Sequence, residues 1–119
     1  MTKIKSIYYN EQLVGELKKI RTPIINKHGI PVIFRKERKE DGIFQHIALK
    51  RHFLKIRDVK QIPKIIQNPL RTQTLKKYKN RKAYYGRRPG NIKMMLFVIC
   101  EKYENHEQIV TFYPTKKFL

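Results

Sequence analysis

The sequence has little cysteine and no long apolar segment, and each scarcity excludes a class of protein. Cys100 is the only cysteine among 119 residues, which excludes an internal disulfide and a multi-cysteine zinc site. Residues 94–99 before it are all apolar, so we expect a buried, inert thiol rather than a nucleophile. The longest apolar run, residues 94–100, is too short to span a bilayer, and the N-terminal residues lack the apolar stretch of a signal peptide. We therefore expect a protein of the reducing cytoplasm.

Acidic side chains are so scarce that the charge balance itself indicates a partner. Nine Asp and Glu stand against 28 Lys and Arg, which gives a formal net charge of +19. Self-repulsion of this size disfavours a compact monomer unless a polyanion offsets it. Residues 59–100 contain eleven Lys or Arg and no acid. Nucleic acid is the expected partner, because its phosphates bind such surfaces with release of counterions. A membrane surface is the alternative, but the sequence has neither an amphipathic basic helix nor a lipidation signal.

Composition and apolar patterning predict one α+β domain. An apolar fraction of 40% and an aromatic fraction of 11% suffice for a core in 119 residues. We expect an irregular β-rich extension over residues 1–42, followed by a core over residues 43–117 in which helices precede an antiparallel sheet. Within the extension, residues 31–34 are β-prone and residues 35–41 form a solvated charge run. No internal repeat or linker divides the chain.

The local patterns give the expected elements of this core. Apolar side chains at helical spacing predict one helix over residues 43–56 and a shorter one over residues 59–67, with Asp58 as a cap and Pro63 near the first turn. Residues 70–90 read as an extended hairpin or a basic loop. The apolar run at residues 92–100 predicts a strand buried on both faces, and residues 108–113 predict an antiparallel partner for it.

A dense cluster of cations and tyrosines indicates where nucleic acid would bind. Cations that contact phosphates, interleaved with rings that stack on unpaired bases, are typical of single-strand binding surfaces. The alternative is a solvated charged strand or loop. The candidate nucleic-acid-binding residues are Lys76, Lys77, Arg81, Lys82, Tyr85, Arg87, Arg88 and Lys116.

The predicted helix over residues 43–56 carries candidate catalytic side chains. At about 100° per residue, Lys50 lies within roughly 40° of His46 on the face towards the sheet, while Arg51, His52 and Lys55 fall on the solvent side. An imidazole exchanges protons near neutral pH and an ammonium group holds a phosphate, so His46 and Lys50 together suit the rim of a cleft. A hydrogen-bonded core histidine is the alternative for His46.

The last predicted strand supplies a pair of hydroxyl groups. The period of two places Ile109, Thr111 and Tyr113 on one face and Val110 and Phe112 on the other, in the core. Thr111 and Tyr113 then present their hydroxyl groups side by side. Ordinary β-propensity of Thr and Tyr explains the same residues without any function.

Three segments together resemble a nuclease superfamily. Residues 45–53 (QHIALKRHF), 62–69 (IPKIIQNP) and 109–114 (IVTFYP) resemble, in this order, the barnase, EndoU, colicin D and RelE-like superfamily, and most closely its phage-borne branch. The resemblance covers residues 43–117. It implies one or two helices packed on a curved antiparallel sheet of about four strands, and ribonuclease activity without metal, as in toxins and phage effectors. It places the family's helix histidine on His46 and its strand hydroxyl pair on Thr111 and Tyr113.

The function expected from the sequence is therefore that of an endoribonuclease with no metal and no cofactor. His46 would move a proton at the ribose 2′-hydroxyl or at the leaving 5′-oxygen, and Thr111 and Tyr113 would position the phosphate or donate a proton. The acids are too few and scattered to build a carboxylate cage for a two-metal site. The charge on the phosphate would be stabilised by Lys50 and by one of Arg87, Arg88 and Lys116.

The expected partners are RNA, for which tRNA and mRNA are candidates, and an antitoxin or immunity protein. Two alternatives stay open. One is a basic RNA- or DNA-binding protein without catalysis, such as a ribosome-associated or architectural factor, which the charge fits equally well. The other is an inactivated nuclease fold that binds a partner.

Overall fold

A computed structural model gives the architecture of residues 8–91 and 93–116. Four α-helices, one 3₁₀ turn and six strands are present in these two ranges. The helices are α1 (Glu11–Lys18), α2 (Gly42–Ile47), α3 (Ile56–Val59) and α4 (Ile62–Gln67), with the 3₁₀ turn at Lys50–His52. The strands are β1 (Ile24–Ile25), β2 (Pro31–Phe34), β3 (Arg71–Thr74), β4 (Arg81–Arg87), β5 (Met95–Lys102) and β6 (Glu107–Thr115).

The six strands form one curled, mixed sheet in the order β1-β2-β6-β5-β4-β3. Strands β3 to β6 make an antiparallel meander, as expected for the C-terminal half. The α+β class is confirmed, but the expectation of about four strands, all antiparallel, is wrong. The β1–β2 hairpin joins the sheet through a parallel pairing of β2 with β6, which aligns Val32 with Glu107 and Phe34 with Ile109.

The helices pack on one face of this sheet. Ile47, Ile62 and Ile66 from the helices meet Tyr84 and Phe112 from the strands, and all five side chains are at most 2% exposed. Burial of such a side chain contributes about 1.5–3 kcal/mol each, so this layer supplies most of the driving force for folding. No helix among residues 8–91 and 93–116 has the length and apolar character that a bilayer span requires.

The N-terminal region contributes a helix to this layer as well as strands. The Asn10 side chain accepts hydrogen bonds from the backbone N–H groups of Gln12 and Leu13, at 2.9 and 3.3 Å, and so caps α1. Leu13 and Leu17 follow at helical spacing and enter the core. The expectation of an irregular β-rich extension is therefore wrong for residues 11–18, while the β-prone run at residues 31–34 does form a strand.

The long helix predicted over residues 43–56 is interrupted. Helix α2 ends at Ile47, and Leu49 pairs with Tyr9 in an isolated antiparallel bridge. Two backbone hydrogen bonds of 2.9 Å support this bridge, from Asn10 N to the Ala48 carbonyl and from Lys50 N to the Tyr8 carbonyl. These bonds replace the helical ones, so apolar spacing at helical period does not yield a helix here.

The second predicted helix is also divided in two. Asp58 belongs to the first turn of α3, where its carboxylate accepts a hydrogen bond of 2.8 Å from the Lys55 backbone N–H. Pro63 lies in the first turn of α4, a position where its missing N–H costs nothing. The cap and the proline thus serve different helices.

A β-bulge in β6 changes which side chains share a face. Cys100 pairs with Ile109 and Ile99 pairs with Thr111, so Val110 is an extra residue in β6. Ile109 and Phe112 both enter the helix-facing core, whereas Val110 packs on the opposite face with Tyr113. The predicted grouping of Ile109 with Thr111 and of Val110 with Phe112 is therefore wrong. The predicted burial of Cys100 is confirmed, and this burial raises the pKa of its thiol.

Candidate active site

A cleft of about 710 Å³ opens beside the C-terminal half of β6. Strand β2 pairs with β6 only at residues 107–109. Beyond that point, helix α2 and the 3₁₀ turn lie against β6 instead. The cleft forms between this segment and the strand face that carries Tyr113. Its lining includes Arg35, His46, Arg51, His52, Phe53, Arg81, Thr111 and Tyr113.

A chain of aromatic contacts organises the cleft. The His46 and His52 rings meet edge to face with their centroids 5.7 Å apart. His52 in turn stacks on Tyr113 at 5.6 Å, and Tyr113 meets the buried Phe97 edge to face at 4.4 Å. Because Phe97 is 1% exposed and fixed in the sheet, it anchors Tyr113 and through it His52. Two imidazoles and one phenol therefore share one wall of the cleft.

A backbone contact defines the tautomer of His52. Its Nδ1 lies 3.0 Å from the carbonyl oxygen of Ile47. A carbonyl oxygen only accepts hydrogen bonds, so Nδ1 carries the proton and donates it. The nitrogen left to exchange a proton with a ligand is therefore Nε2.

The surroundings of His46 favour its neutral form. Partial burial lowers the pKa of His46 below its ordinary value of 6.5, and the positive charges of His52, Arg51 and Arg35 lower it further, against the opposing effect of Glu37. At neutral pH the imidazole of His46 is therefore unprotonated and able to accept a proton.

Three arginines give the cleft a positive field. Arg35 follows β2 and donates its backbone N–H to the Ile109 carbonyl at 3.0 Å, and Arg51 belongs to the 3₁₀ turn. Both are exposed. Arg81, at the start of β4, contacts the Glu101 carboxylate at 3.2 Å, which offsets part of its charge. Asp and Glu are absent from the described residues that line the cleft, so an anionic group would be favoured there.

The structure brings three of the four predicted catalytic residues together. His46, Thr111 and Tyr113 line the cleft, but Lys50 does not. Lys50 instead borders a groove with residues 9–12, because the interruption of the helix at Leu49 turns it away from His46. The expectation that Lys50 and His46 share a face is wrong for this reason.

The predicted nucleic-acid-binding cations divide into exposed and structural ones. Lys76 and Lys77 are exposed in the turn between β3 and β4, Lys116 is exposed just after β6, and Arg87 is exposed on a separate groove beside α4. Arg81 lines the cleft itself. These five stay candidate phosphate ligands.

Two of the predicted binding residues belong to the core instead. The Lys82 ammonium group lies 3.1 Å from the buried Glu107 carboxylate and 4.6 Å from the Tyr84 ring. Tyr85 is 0% exposed and packs on Phe97, so its ring is not available to a base. The prediction of a nucleic-acid contact is wrong for Tyr85, and Lys82 already neutralises a buried acid.

Arg88 also has a structural partner. Its guanidinium group donates hydrogen bonds of 3.0 and 3.3 Å to the carboxylate of Asp58, which is 0% exposed, and one of 2.7 Å to the carbonyl oxygen of Phe53. With 12% of its side chain exposed, Arg88 is engaged by this buried pair, which favours a structural role over the predicted phosphate contact.

Several residues of the cleft were not predicted as site residues. The sequence pattern assigned His52 and Arg51 to the solvent side of a continuous helix, and Arg35 to a solvated charge run. The bridge at Leu49 redirects the 3₁₀ turn, so His52 faces Tyr113 instead of solvent. No local signal in the sequence indicates this redirection, because its cause is a pairing with Tyr9, forty residues earlier.

Metal ligands and relatives give no further indication of the chemistry. Within the described part of the chain, no three His, Cys, Asp or Glu side chains cluster in a way that could hold a metal ion. No family model, curated protein or solved structure matches the chain. The functional argument therefore depends on the geometry and charge of the cleft.

Proposed function

We propose that this protein is an endoribonuclease that works without metal and uses His46 and His52 as its proton-transfer pair. The observation that carries the proposal is the contact between these two imidazoles, beside Tyr113, in a cleft with three arginines. Two proton-transfer groups and a positive field are what cleavage of RNA by its own 2′-hydroxyl requires.

The proposed reaction proceeds in line at one phosphate. Neutral His46 accepts the proton of the ribose 2′-hydroxyl as the O2′–P bond forms, and the lowered pKa of His46 keeps it available for this role. Protonated His52 gives a proton to the 5′-oxygen as the P–O5′ bond breaks. The products are a 2′,3′-cyclic phosphate and a free 5′-hydroxyl group.

The neighbouring side chains stabilise charge and geometry in this scheme. Arg35, Arg51 and Arg81 offset the negative charge that builds on the phosphoryl oxygens. Tyr113 holds the His52 ring by stacking, and Thr111 offers a hydroxyl group on the same wall. General acid–base catalysis of this type contributes about 10²–10⁴-fold to the rate.

The order of helices and strands supports a place in the barnase, EndoU, colicin D and RelE-like superfamily, which we include in the proposal. Helices precede an antiparallel meander of β3 to β6, and the residues matched to the family's histidine and hydroxyl pair, His46, Thr111 and Tyr113, line one cleft. In this reading the protein acts on RNA such as tRNA or mRNA as a toxin or phage effector in the cytoplasm, and an antitoxin or immunity protein is its protein partner.

The decisive experiment compares histidine variants on one RNA. We expect wild-type protein in excess chelator to cut a single-stranded RNA and leave 2′,3′-cyclic phosphate ends. His46→Ala and His52→Ala should each lower the cleavage rate by about 10²-fold or more, with RNA affinity nearly unchanged, because many cations hold the phosphates. His28→Ala is the matched control, since His28 is exposed in the turn between β1 and β2 and does not line the cleft.

The substrate provides a second control. A DNA strand should resist, and a DNA strand with one ribonucleotide should be cut only there, because the attacking 2′-hydroxyl is present only at that position. If wild-type protein binds RNA but leaves every substrate intact, the assignment fails and a binding protein without catalysis takes its place. Cleavage by both histidine variants at the wild-type rate would equally refute the proton-transfer pair.

A further inference from the structure

Phe53 is an apolar side chain that the fold leaves in solvent at the wall of the cleft. Its side chain is 76% exposed, and it lines the cleft with His46, His52 and Tyr113. A single exposed apolar residue is ordinary on a protein surface and by itself indicates nothing. The backbone conformation of Phe53 makes it unusual.

Phe53 adopts a left-handed backbone conformation that a bulky residue rarely takes. Its φ is 54° and its ψ is 31°, where it closes the 3₁₀ turn through a hydrogen bond of 3.1 Å from its N–H to the Lys50 carbonyl. Glycine adopts this conformation without strain and is the usual residue at such a position. A phenylalanine here costs stability in the folded chain and, at 76% exposure, gains little burial in exchange.

The surrounding structure nevertheless holds this residue in place. Arg88 donates a hydrogen bond of 2.7 Å to the Phe53 carbonyl oxygen and is itself fixed by the fully buried carboxylate of Asp58. Strained residues that their surroundings fix in this way occur at binding and catalytic sites. The ring is therefore presented to the cleft from an immobilised backbone.

We infer that Phe53 is a stacking platform for an unpaired base next to the phosphate that is cleaved. The inference rests on the proposed function and adds the substrate class, which is single-stranded or looped RNA. Arg51 and the other arginines of the cleft attract the phosphates, and an exposed ring beside them matches the combination of cations and aromatic faces that binds single strands. Every base has a π-face, so this platform selects for unpaired RNA and tolerates many sequences.

A single-tryptophan variant tests the stacking directly. The chain contains no tryptophan, so Phe53→Trp introduces one reporter at the platform. The probe is a short single-stranded RNA with 2′-O-methyl groups, which lacks the attacking hydroxyl and is not cut. Tryptophan emission should be quenched on binding of this strand and should stay unchanged with the same strand in a duplex. Ile25→Trp is the control, because Ile25 is 47% exposed in β1 but does not line the cleft, and its emission should not respond.

A glycine variant separates binding from stability. Phe53→Gly should keep or raise the melting temperature, because glycine relieves the left-handed strain. The same variant should raise the dissociation constant for the probe by about 5- to 150-fold, because one stacked base is lost. In a set of probe strands that each lack one base, the strand that lacks the stacked base should bind wild-type protein more weakly than the others. The same strands should bind Phe53→Gly with no such difference.

The outcomes distinguish this inference from the proposed function. If wild-type protein cleaves RNA while Phe53→Gly binds the probe with unchanged affinity, or Phe53→Trp shows no quenching, the platform is refuted and the nuclease stands. An apolar contact to a protein partner would then be the remaining role of the exposed ring. If quenching occurs but no RNA is cleaved, the nuclease is refuted and the platform serves a binding protein.

Discussion

Replacement of Arg88 tests whether this residue holds the fold together or binds RNA. The pair that it forms with Asp58 joins the residue after β4 to the first turn of α3. In Arg88→Met the buried carboxylate loses two hydrogen bonds and its counter-charge and keeps the hydrogen bond from the Lys55 N–H. Removal of one partner of a buried pair costs about 3–5 kcal/mol in free energy of unfolding.

This magnitude separates the two readings of Arg88. With a urea m-value of about 2 kcal/mol/M for a domain of this size, the unfolding midpoint should fall by about 1.5–2.5 M. The melting temperature should fall by roughly 10–20 °C. A surface arginine in an exposed ion pair would contribute only about 0–1 kcal/mol, a shift of at most about 0.5 M. Equilibrium urea unfolding followed by circular dichroism measures the difference.

Two further variants make the Arg88 experiment specific. Arg87→Met removes the neighbouring, exposed arginine and should change the free energy of unfolding by no more than about 0.5 kcal/mol. Asp58→Asn added to Arg88→Met should recover part of the loss, because a buried amide is less costly than an unpaired carboxylate. A midpoint shift below about 0.5 M for Arg88→Met, the limit expected for a surface ion pair, would refute the structural assignment.

Two more predictions concern titration and salt. By NMR, His46 should titrate below 6.5 in the folded protein, and His52→Ala should raise its pKa by removing a neighbouring positive charge. As the pH falls, the unfolded chain binds the His46 proton at a higher pH than the folded chain does. The contribution of His46 to the free energy of unfolding is therefore complete above pH 6.5 and is lost as the pH falls through its folded pKa. His46→Gln should remove this part of the pH dependence of stability. The slope of log affinity for RNA against log salt should be several units, and Lys76→Ala should reduce it by about one, because the exposed ammonium group releases a counterion on binding. An unchanged slope would place Lys76 outside the RNA contact.

Features set by adjacent residues could be predicted from the sequence. The apolar run before Cys100 indicates a buried strand, and strand β5 with its buried thiol confirms it. Pro63 and the β-prone run of β2 lie where their local preferences place them. Alternation placed Thr111 and Tyr113 on one face of β6, where both line the cleft, although the bulge at Val110 changes the residues that share that face.

Features set by residues far apart in sequence could not be predicted in this way. Helical spacing over residues 43–56 indicated a continuous helix, and a backbone pairing between Tyr9 and Leu49 interrupts it. That single pairing turns Lys50 out of the cleft and His52 into it. Analysis of periodicity compares only residues a few positions apart, so it cannot indicate such a pairing.

The sequence by itself determined the charge, the α+β class and the antiparallel C-terminal strands, because these depend on composition and on short-range pattern. It also supplied the side chains capable of the chemistry, His46, Thr111 and Tyr113. Tertiary structure alone decided which cations face solvent and which neutralise buried acids, as Arg88 does for Asp58. It also decided that His52 completes the cleft. The reason is physical: a side chain's charge is a property of the residue, whereas its partner is fixed by long-range backbone pairing and by the cost of burying an unpaired charge.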